Sequence, residues 1–127
     1  MNELYRPRII DDELKTKLQL SKAVCIQGPK ASGKTWTAIN QAASSIMLGD
    51  GSGNFANRRV AMLDNSFALK GKMPHLIDEW QEIPSLWDVV RYSVDKSQEK
   101  GQFILTGSST PERSGIMHSG TGRISLL

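Results

Sequence analysis

The segment GPKASGKT, residues 28–35, constrains the fold of this chain more than any other stretch. Its two glycines, Gly28 and Gly33, are separated by four residues, and Lys34 and Thr35 follow directly. The apolar run AVCIQ precedes the segment and good helix formers follow it, which predicts a tight loop between a buried strand and a helix. Glycine permits backbone angles that other residues resist, so such a loop can wrap an anion with its N–H groups pointing inward.

This spacing is that of the phosphate-binding loop, Gly-x-x-x-x-Gly-Lys-Ser/Thr, in nucleotide-binding proteins. A chance match in a chain of this length has a probability below about 1%, which argues against an ordinary glycine-rich turn. The ammonium of Lys34 is predicted to reach the β- and γ-phosphates, and the hydroxyl of Thr35 to bind Mg²⁺. The residues predicted to contact the nucleotide are Gly28, Pro29, Lys30, Ala31, Ser32, Gly33, Lys34, Thr35 and Trp36, with no separate side-chain role for Lys30.

Helical and strand-like patterns alternate along the rest of the chain. Apolar residues recur every four positions from Ile10 to Leu18, which predicts a helix with Asp11 as its N-cap. Further helices are predicted over 34–48 and from Pro84, with Gly101 at its end. Strands are predicted at 23–27, 58–64, 73–78, 102–107 and 123–127, and glycine-rich loops at 49–54 and 107–122. Strands joined by helices predict an α/β fold, with a parallel sheet and helices on both faces.

The composition is that of an ordinary single domain. Hydrophobic residues make up 39% and charged residues 23% of 127 residues, which is unlike a disordered chain. No apolar run could cross a membrane and the N-terminus lacks a secretion signal, so a cytoplasmic location is predicted. One cysteine, Cys25, excludes an internal disulfide, and the two distant histidines do not suggest a zinc site. The net charge of +3 permits weak nucleic-acid binding, but a solvated helix face explains the clustered lysines more simply.

The segment HLIDEW, residues 75–80, places Asp78 and Glu79 at the end of a predicted strand. Two adjacent acids at such a place are costly unless a cation or a water network uses them. In a phosphate-loop protein, an aspartate that ends a neighbouring strand holds Mg²⁺ through its water shell, and this role is predicted for Asp78. Glu79 is predicted to orient or deprotonate an attacking water. The alternative is an acidic strand end exposed to solvent.

Three motifs, GPKASGKT, LIDEWQEIP and FILTGSS, follow one another in this order. Together they resemble the AAA-like ATPases of the additional-strand, catalytic-glutamate division. The resemblance is strongest to prokaryotic ATP-binding proteins in which a C-terminal domain of unknown function follows the ATPase domain, and the Asp-Glu-x-Gln-x-x-Pro run narrows it to this branch. The resemblance implies a three-layer P-loop NTPase fold whose parallel sheet has the order 5-1-4-3-2, with ATP and Mg²⁺ at the carboxyl ends of the strands.

The resemblance also implies two further catalytic positions. The segment FILTGSST, residues 103–110, would be the fourth strand and carry a sensor residue, with Ser108 as the first candidate and Thr106 as the second. A serine-rich turn is the alternative for either residue. Arg123 precedes the fifth strand, where an arginine of AAA-like proteins can act across a subunit interface on the transferring phosphate, and Arg113 lies in the same loop.

Residues 1–127 are therefore interpreted as a single AAA-like ATPase core. Because the sequence stops within the predicted fifth strand, we expect it to be the N-terminal part of a longer protein, whose C-terminal region would contact further copies or a partner protein. The expected function is Mg²⁺-dependent ATP hydrolysis coupled to a conformational change. Two alternatives stay open: a nucleotide-binding module that hydrolyses little, and a P-loop small-molecule kinase, for which no arginine-rich lid is evident.

Overall fold

The computed structural model describes residues 7–28, 34–108 and 123–127. The helices are α1 (Pro7–Leu20), α2 (Lys34–Gln41), α3 (Ser52–Leu63) and α4 (Leu86–Val94). The strands are β1 (Ala23–Gln27), β2 (Ser44–Met47), β3 (His75–Asp78), β4 (Phe103–Gly107) and β5 (Ile124–Leu126). Two 3₁₀ helices, Asn65–Leu69 and Trp80–Glu82, lie on either side of β3.

The five strands form one parallel sheet in the order β2-β3-β4-β1-β5, so the predicted α/β class is confirmed. Counted from β5, this is the numerical order 5-1-4-3-2 that the resemblance implies, but β2 is formed by a different segment from the one predicted. The register pairs Gln27 with Gly107 and Asp78 with Thr106. The strand ends at these residues form one edge of the sheet, here called the carboxyl edge, and the strand starts form the opposite, amino edge.

The second strand is formed by Ser44–Met47. The helix predicted over 34–48 therefore begins where expected but ends at Gln41, and the prediction of a strand over 58–64 is wrong. A parallel connection needs about a dozen residues or more, because the chain must return to the start of the sheet. A strand at 58–64 would leave only residues 65–74 for that return, whereas β2 leaves 48–74, enough for α3. The apolar run from Val60 to Leu63 lies on α3, and only Ala61 within it is buried.

Helices cover both faces of the sheet and give the molecule three layers. On one face, α1 and α2 bury a cluster of Leu14, Leu18, Val24, Ile26, Ala38, Leu76 and Ile104. On the other face, α3, α4 and the 3₁₀ helices bury a larger cluster around Trp80 and Trp87, whose ring centroids are 5.1 Å apart. Cys25 lies in this second cluster, and its burial raises the pKa of the thiol to about 12. The thiol is therefore protonated at neutral pH.

Two smaller predictions about helix ends are wrong, and one predicted loop is shorter than expected. Helix α1 begins at Pro7, so Asp11 is not its N-cap; proline suits a first turn because it has no N–H to leave unpaired. Helix α4 ends at Val94, and Gly101 instead lies at φ 65°, where a Cβ atom would come within 3.1 Å of the Leu18 carbonyl oxygen. The predicted loop at 49–54 is shorter, since α3 begins within it, although Gly53 and its next two residues have left-handed backbone angles.

Most of the predicted loop at 107–122 lies outside the described residues. Within the described part of the chain, no helix is both long and apolar enough to cross a membrane.

Candidate functional site

The carboxyl edge brings three polar side chains together at one carboxylate oxygen. Asp78 Oδ1 accepts hydrogen bonds from Thr35 Oγ1 at 2.8 Å and from Thr106 Oγ1 at 2.6 Å. Thr35 lies in the first turn of α2, Asp78 ends β3, and Thr106 lies near the end of β4. The parallel register causes this meeting, because strands that pair residue by residue end at the same edge. The two predicted Mg²⁺ ligands are therefore in direct contact.

Glu79 follows Asp78 in an unusual backbone conformation. Its φ of 60° and ψ of 50° are left-handed, which costs a residue with a Cβ atom about 1–2 kcal/mol. The Glu79 N–H donates to Thr106 Oγ1 at 3.1 Å, and this bond helps to hold the turn. Both acids are only 8% exposed. The turn leads from β3 directly into the second 3₁₀ helix, so Glu79 stays at the carboxyl edge beside Asp78.

Gln81 is the residue of this site that the sequence interpretation missed. Its Nε2 donates to Glu79 Oε1 at 2.5 Å and to Ser108 Oγ at 3.3 Å. Of the two sensor candidates, Thr106 thus contacts the acidic pair directly, whereas Ser108 contacts it through Gln81. The available signal was the glutamine of the Asp-Glu-x-Gln run, which was used to narrow the resemblance and was given no chemical role.

The described ends of the phosphate loop lie at the same edge. The Gly28 N–H donates to the Gly107 carbonyl oxygen at 3.3 Å, so the loop leaves the sheet beside the end of β4. Lys34 begins α2 and is 1% exposed, so its side chain is withdrawn from solvent. Trp36 follows on the same helical turn and is 57% exposed. Residues 29–33, which include the predicted contacts Pro29, Lys30, Ala31, Ser32 and Gly33, lie outside the described residues.

Arg123 lies at the opposite, amino edge of the sheet. Its carbonyl oxygen accepts from the Ala23 N–H at 3.2 Å, and its Nε donates to Asp95 Oδ2 at 2.8 Å. The hydrogen bond from Arg123 lowers the pKa of the Asp95 carboxyl. Within one chain, Arg123 therefore does not join Asp78 and Glu79, and its role across a subunit interface stays a prediction. Arg113 lies outside the described residues.

The oxygen atoms at the carboxyl edge suit a hard cation whose remaining ligands are water and phosphate oxygens. Across residues 7–28, 34–108 and 123–127, no three His, Cys, Asp or Glu side chains are grouped so that they could hold a metal ion. Thr35 and Asp78 supply only oxygen atoms, which Mg²⁺ prefers, and Mg²⁺ usually completes its shell with water and phosphate oxygens. The residues present therefore fit Mg²⁺ that arrives with a nucleotide.

Comparison with known proteins agrees with this geometry. The sequence model of a family described as AAA domain matches residues 20–127. The chain belongs to this AAA domain family. It is an AAA-like P-loop domain of the ATPase type. In open α/β sheets, ligands bind outside the carboxyl ends of the strands, which correspond to the carboxyl edge here.

Curated relatives extend well beyond this chain. An uncharacterized protein from Mycobacterium bovis and another from Mycobacterium tuberculosis are each 30% identical to the chain over 118 residues. The similarity covers 90% of this chain, which spans 26% of the length of each relative.

Proposed function

We propose that the chain binds Mg·ATP at the carboxyl edge and hydrolyses it, with Glu79 acting on the attacking water. One observation carries the proposal: Thr35 and Thr106 converge on Asp78 while Glu79 is held directly beside them. The bond from Thr35 to Asp78 joins the phosphate loop to the acidic pair that would act on the phosphates. A phosphate-binding loop alone would support binding but not hydrolysis.

Nucleotide binding would rest on the N-terminal end of α2 and the loop before it. The Lys34 ammonium would pair with phosphate oxygens, and the helix dipole would add a partial positive charge at the same place. Thr35 and Asp78 would hold Mg²⁺, which, when bound, supplies positive charge that stabilises the phosphates during transfer. The preference for adenine over guanine rests on the resemblance alone.

Hydrolysis would use Glu79 as the general base. The water oxygen forms a bond to the γ-phosphorus while the bridging bond to ADP breaks, and the water proton passes to the Glu79 carboxylate. Thr106 supports this step by holding Asp78 through its hydroxyl and Glu79 through the backbone N–H. The chain spans about a quarter of its curated relatives, so coupling to a conformational change, oligomerisation and partner binding are proposals for the whole protein.

A calorimetric titration of Mg·ATP into the chain tests the binding half of this proposal. We expect the wild type to bind, and Lys34→Ala to bind at least about a hundredfold more weakly, because a charge-assisted contact to the phosphates is lost. Lys15→Ala is the matched control, since Lys15 is an exposed lysine of α1, and it should bind as the wild type does. Equal binding by wild type and Lys34→Ala, or no binding by a folded wild type, would contradict the proposal.

A further inference from the structure

The Gln81 carboxamide bonds to residues that follow the ends of two neighbouring strands, β3 and β4. Its nitrogen carries two hydrogens, and each has a partner: one on Glu79, at the end of β3, and one on Ser108, after β4. The bond to Glu79 is short at 2.5 Å, and its acceptor is a carboxylate, which binds an N–H donor more strongly than a neutral oxygen does. Gln81 therefore contacts the proposed base through its reactive carboxylate, which Thr106 does not.

The surroundings of Gln81 fix the direction in which its nitrogen points. A Cβ atom on Gly107 would lie 2.7 Å from Gln81 Oε1 and 2.6 Å from the indole nitrogen of Trp80. Gly107 thus lets the carboxamide and the indole pack against the backbone of β4. Gln81 Oε1 is buried at this contact and accepts no hydrogen bond from any residue that the structure describes. Reversing the amide would place this oxygen against the Glu79 carboxylate, so the nitrogen has to face Glu79.

The 3₁₀ helix that carries Gln81 is itself held on both sides. Trp80 is fully buried in the core. On the other side, Glu82 pairs with Arg58 at 3.3 Å, and Arg58 Nε donates to the Leu48 carbonyl oxygen at 3.2 Å. The backbone of Gln81 is therefore flanked by a core residue and by an ion pair to α3. Its Cα atom is held in place, and the reach of its side chain is set by this position.

From this geometry we propose that Gln81 is a positioning residue that holds the Glu79 carboxylate in one orientation toward the attacking water. Ser108 anchors the same carboxamide from the β4 side, so the position of Glu79 depends on the start of the loop after β4. This inference rests on the proposed function, since a positioning residue needs a base to position. It assigns Gln81 no contact with the nucleotide.

Steady-state and single-turnover hydrolysis by three variants of the chain test the inference. Gln81→Met keeps the side-chain length without the donor, and should lower kcat about tenfold or more while KM for ATP stays within about twofold. Gln81→Glu keeps the shape but faces Glu79 with a second carboxylate, so its kcat should fall further than that of Gln81→Met. Gln98→Met is the matched control, because Gln98 is exposed near the amino edge, and its kcat should not change.

A double-mutant cycle separates positioning from a purely structural role. If Gln81 acts through Glu79, then Gln81→Met should have little further effect in a Glu79→Gln background. A structural role predicts the opposite pattern: the isosteric Gln81→Glu is tolerated best, and losses of activity follow losses of thermal stability. Either that pattern, or a kcat for Gln81→Met within twofold of wild type, would overturn the inference while leaving the proposed hydrolysis intact.

A measurement on the nucleotide-free chain keeps the inference testable if the chain binds ATP without hydrolysing it. The side-chain amide signals of Gln81 in a ¹⁵N NMR spectrum should shift clearly on Glu79→Ala, because the short bond is lost, and less on Ser108→Ala. The amide signals of Gln98 serve as the control and should stay in place. Unchanged Gln81 signals in Glu79→Ala would show that the contact is absent in solution and would overturn the inference without reference to activity.

Discussion

Polar side chains at the two edges of the sheet serve different purposes. At the amino edge, Gln102 Nε2 donates to the carbonyl oxygens of Val94 and Glu99, and the ring of His75 bonds to the Ala68 carbonyl oxygen. These two buried side chains bond to backbone groups of neighbouring elements, and His75 Nδ1 also bonds to Ser44 Oγ at 2.7 Å. The carboxylate pair at this edge, Arg123 with Asp95, lies at the surface. At the carboxyl edge, side-chain donors converge on carboxylates instead, and one backbone residue, Glu79, is held left-handed.

The difference indicates which buried polar groups support the fold and which support chemistry. A side chain that closes an unpaired backbone carbonyl stabilises the fold, because that carbonyl would otherwise be buried without a partner. The donors to the Asp78 and Glu79 carboxylates described above are side chains rather than backbone groups, and the strained turn beside them lowers stability. A site that costs stability is expected where a ligand must be bound or a reaction catalysed. The following substitutions test this division from the largest expected effect to the smallest.

Of the substitutions that compare the two edges, Thr106→Val should lower activity most. Valine has the same shape but lacks the hydroxyl that donates to Asp78 and accepts from the Glu79 N–H. We expect kcat for ATP hydrolysis to fall roughly a hundredfold, because both acids lose their support, while ATP binding by calorimetry changes little. Thr16→Val, at an exposed position of α1, is the control. A variant with normal kcat would mean that this threonine only stabilises the sheet.

Gln102→Ala should lower the stability of the fold and leave activity unchanged. It removes two hydrogen bonds at the amino edge, of 2.9 Å to the Glu99 carbonyl oxygen and 3.2 Å to that of Val94, which keeps only the 3.4 Å bond from the Ser97 N–H. We expect the free energy of unfolding in urea to fall by about 2 kcal/mol, with kcat within twofold of wild type. Gln98→Ala, at an exposed position, should leave both quantities unchanged. A large loss of kcat in a folded Gln102→Ala variant would show that the amino edge also supports activity, and the division between the two edges would be wrong.

Substituting His75 should have the smallest effect, a change in how the stability of the fold depends on pH. Burial lowers the pKa of His75, and the Ala68 carbonyl oxygen partly opposes this shift. As the pH falls below about 6.5, the unfolded chain takes up the proton first, so stability is present above that pH and is lost as the pH falls toward the pKa of the folded state.

Thermal unfolding between pH 7 and pH 5 should therefore show a falling Tm, and His75→Gln should flatten the slope. The matched control is His118→Gln, which changes the other histidine. The same slope in wild type and His75→Gln would show that another group causes the pH dependence.

Much of the carboxyl edge could be predicted from the sequence because its signals are local. The phosphate loop and the Asp78-Glu79 pair each lie in a short run with a strand before it, and parallel pairing brings the runs together. The error over β2 has a different origin: Ile46 and Met47 continue the helical spacing of the preceding segment. Their strand conformation follows from pairing with β3, which local periodicity does not report.

The helix α3 was missed for a related reason. Four consecutive apolar residues, 60–63, favour a buried strand, but three of them are exposed on the helix. Connection length was the physical signal that could have corrected this, since it excludes a strand so close to β3. The role of Gln81 could not be predicted from spacing, because it depends on the left-handed turn at Glu79 and on the contact with Gly107.

Single-turnover hydrolysis of Mg·ATP by Glu79→Gln tests the central claim most directly. The glutamine keeps the size of the side chain and removes the carboxylate that would accept the proton. We predict that calorimetric affinity for Mg·ATP stays within about threefold of wild type, while the hydrolysis rate falls about a hundredfold or more. Hydrolysis by Glu79→Gln at the wild-type rate would contradict the account, because the carboxyl edge would then bind nucleotide without using Glu79 as the base.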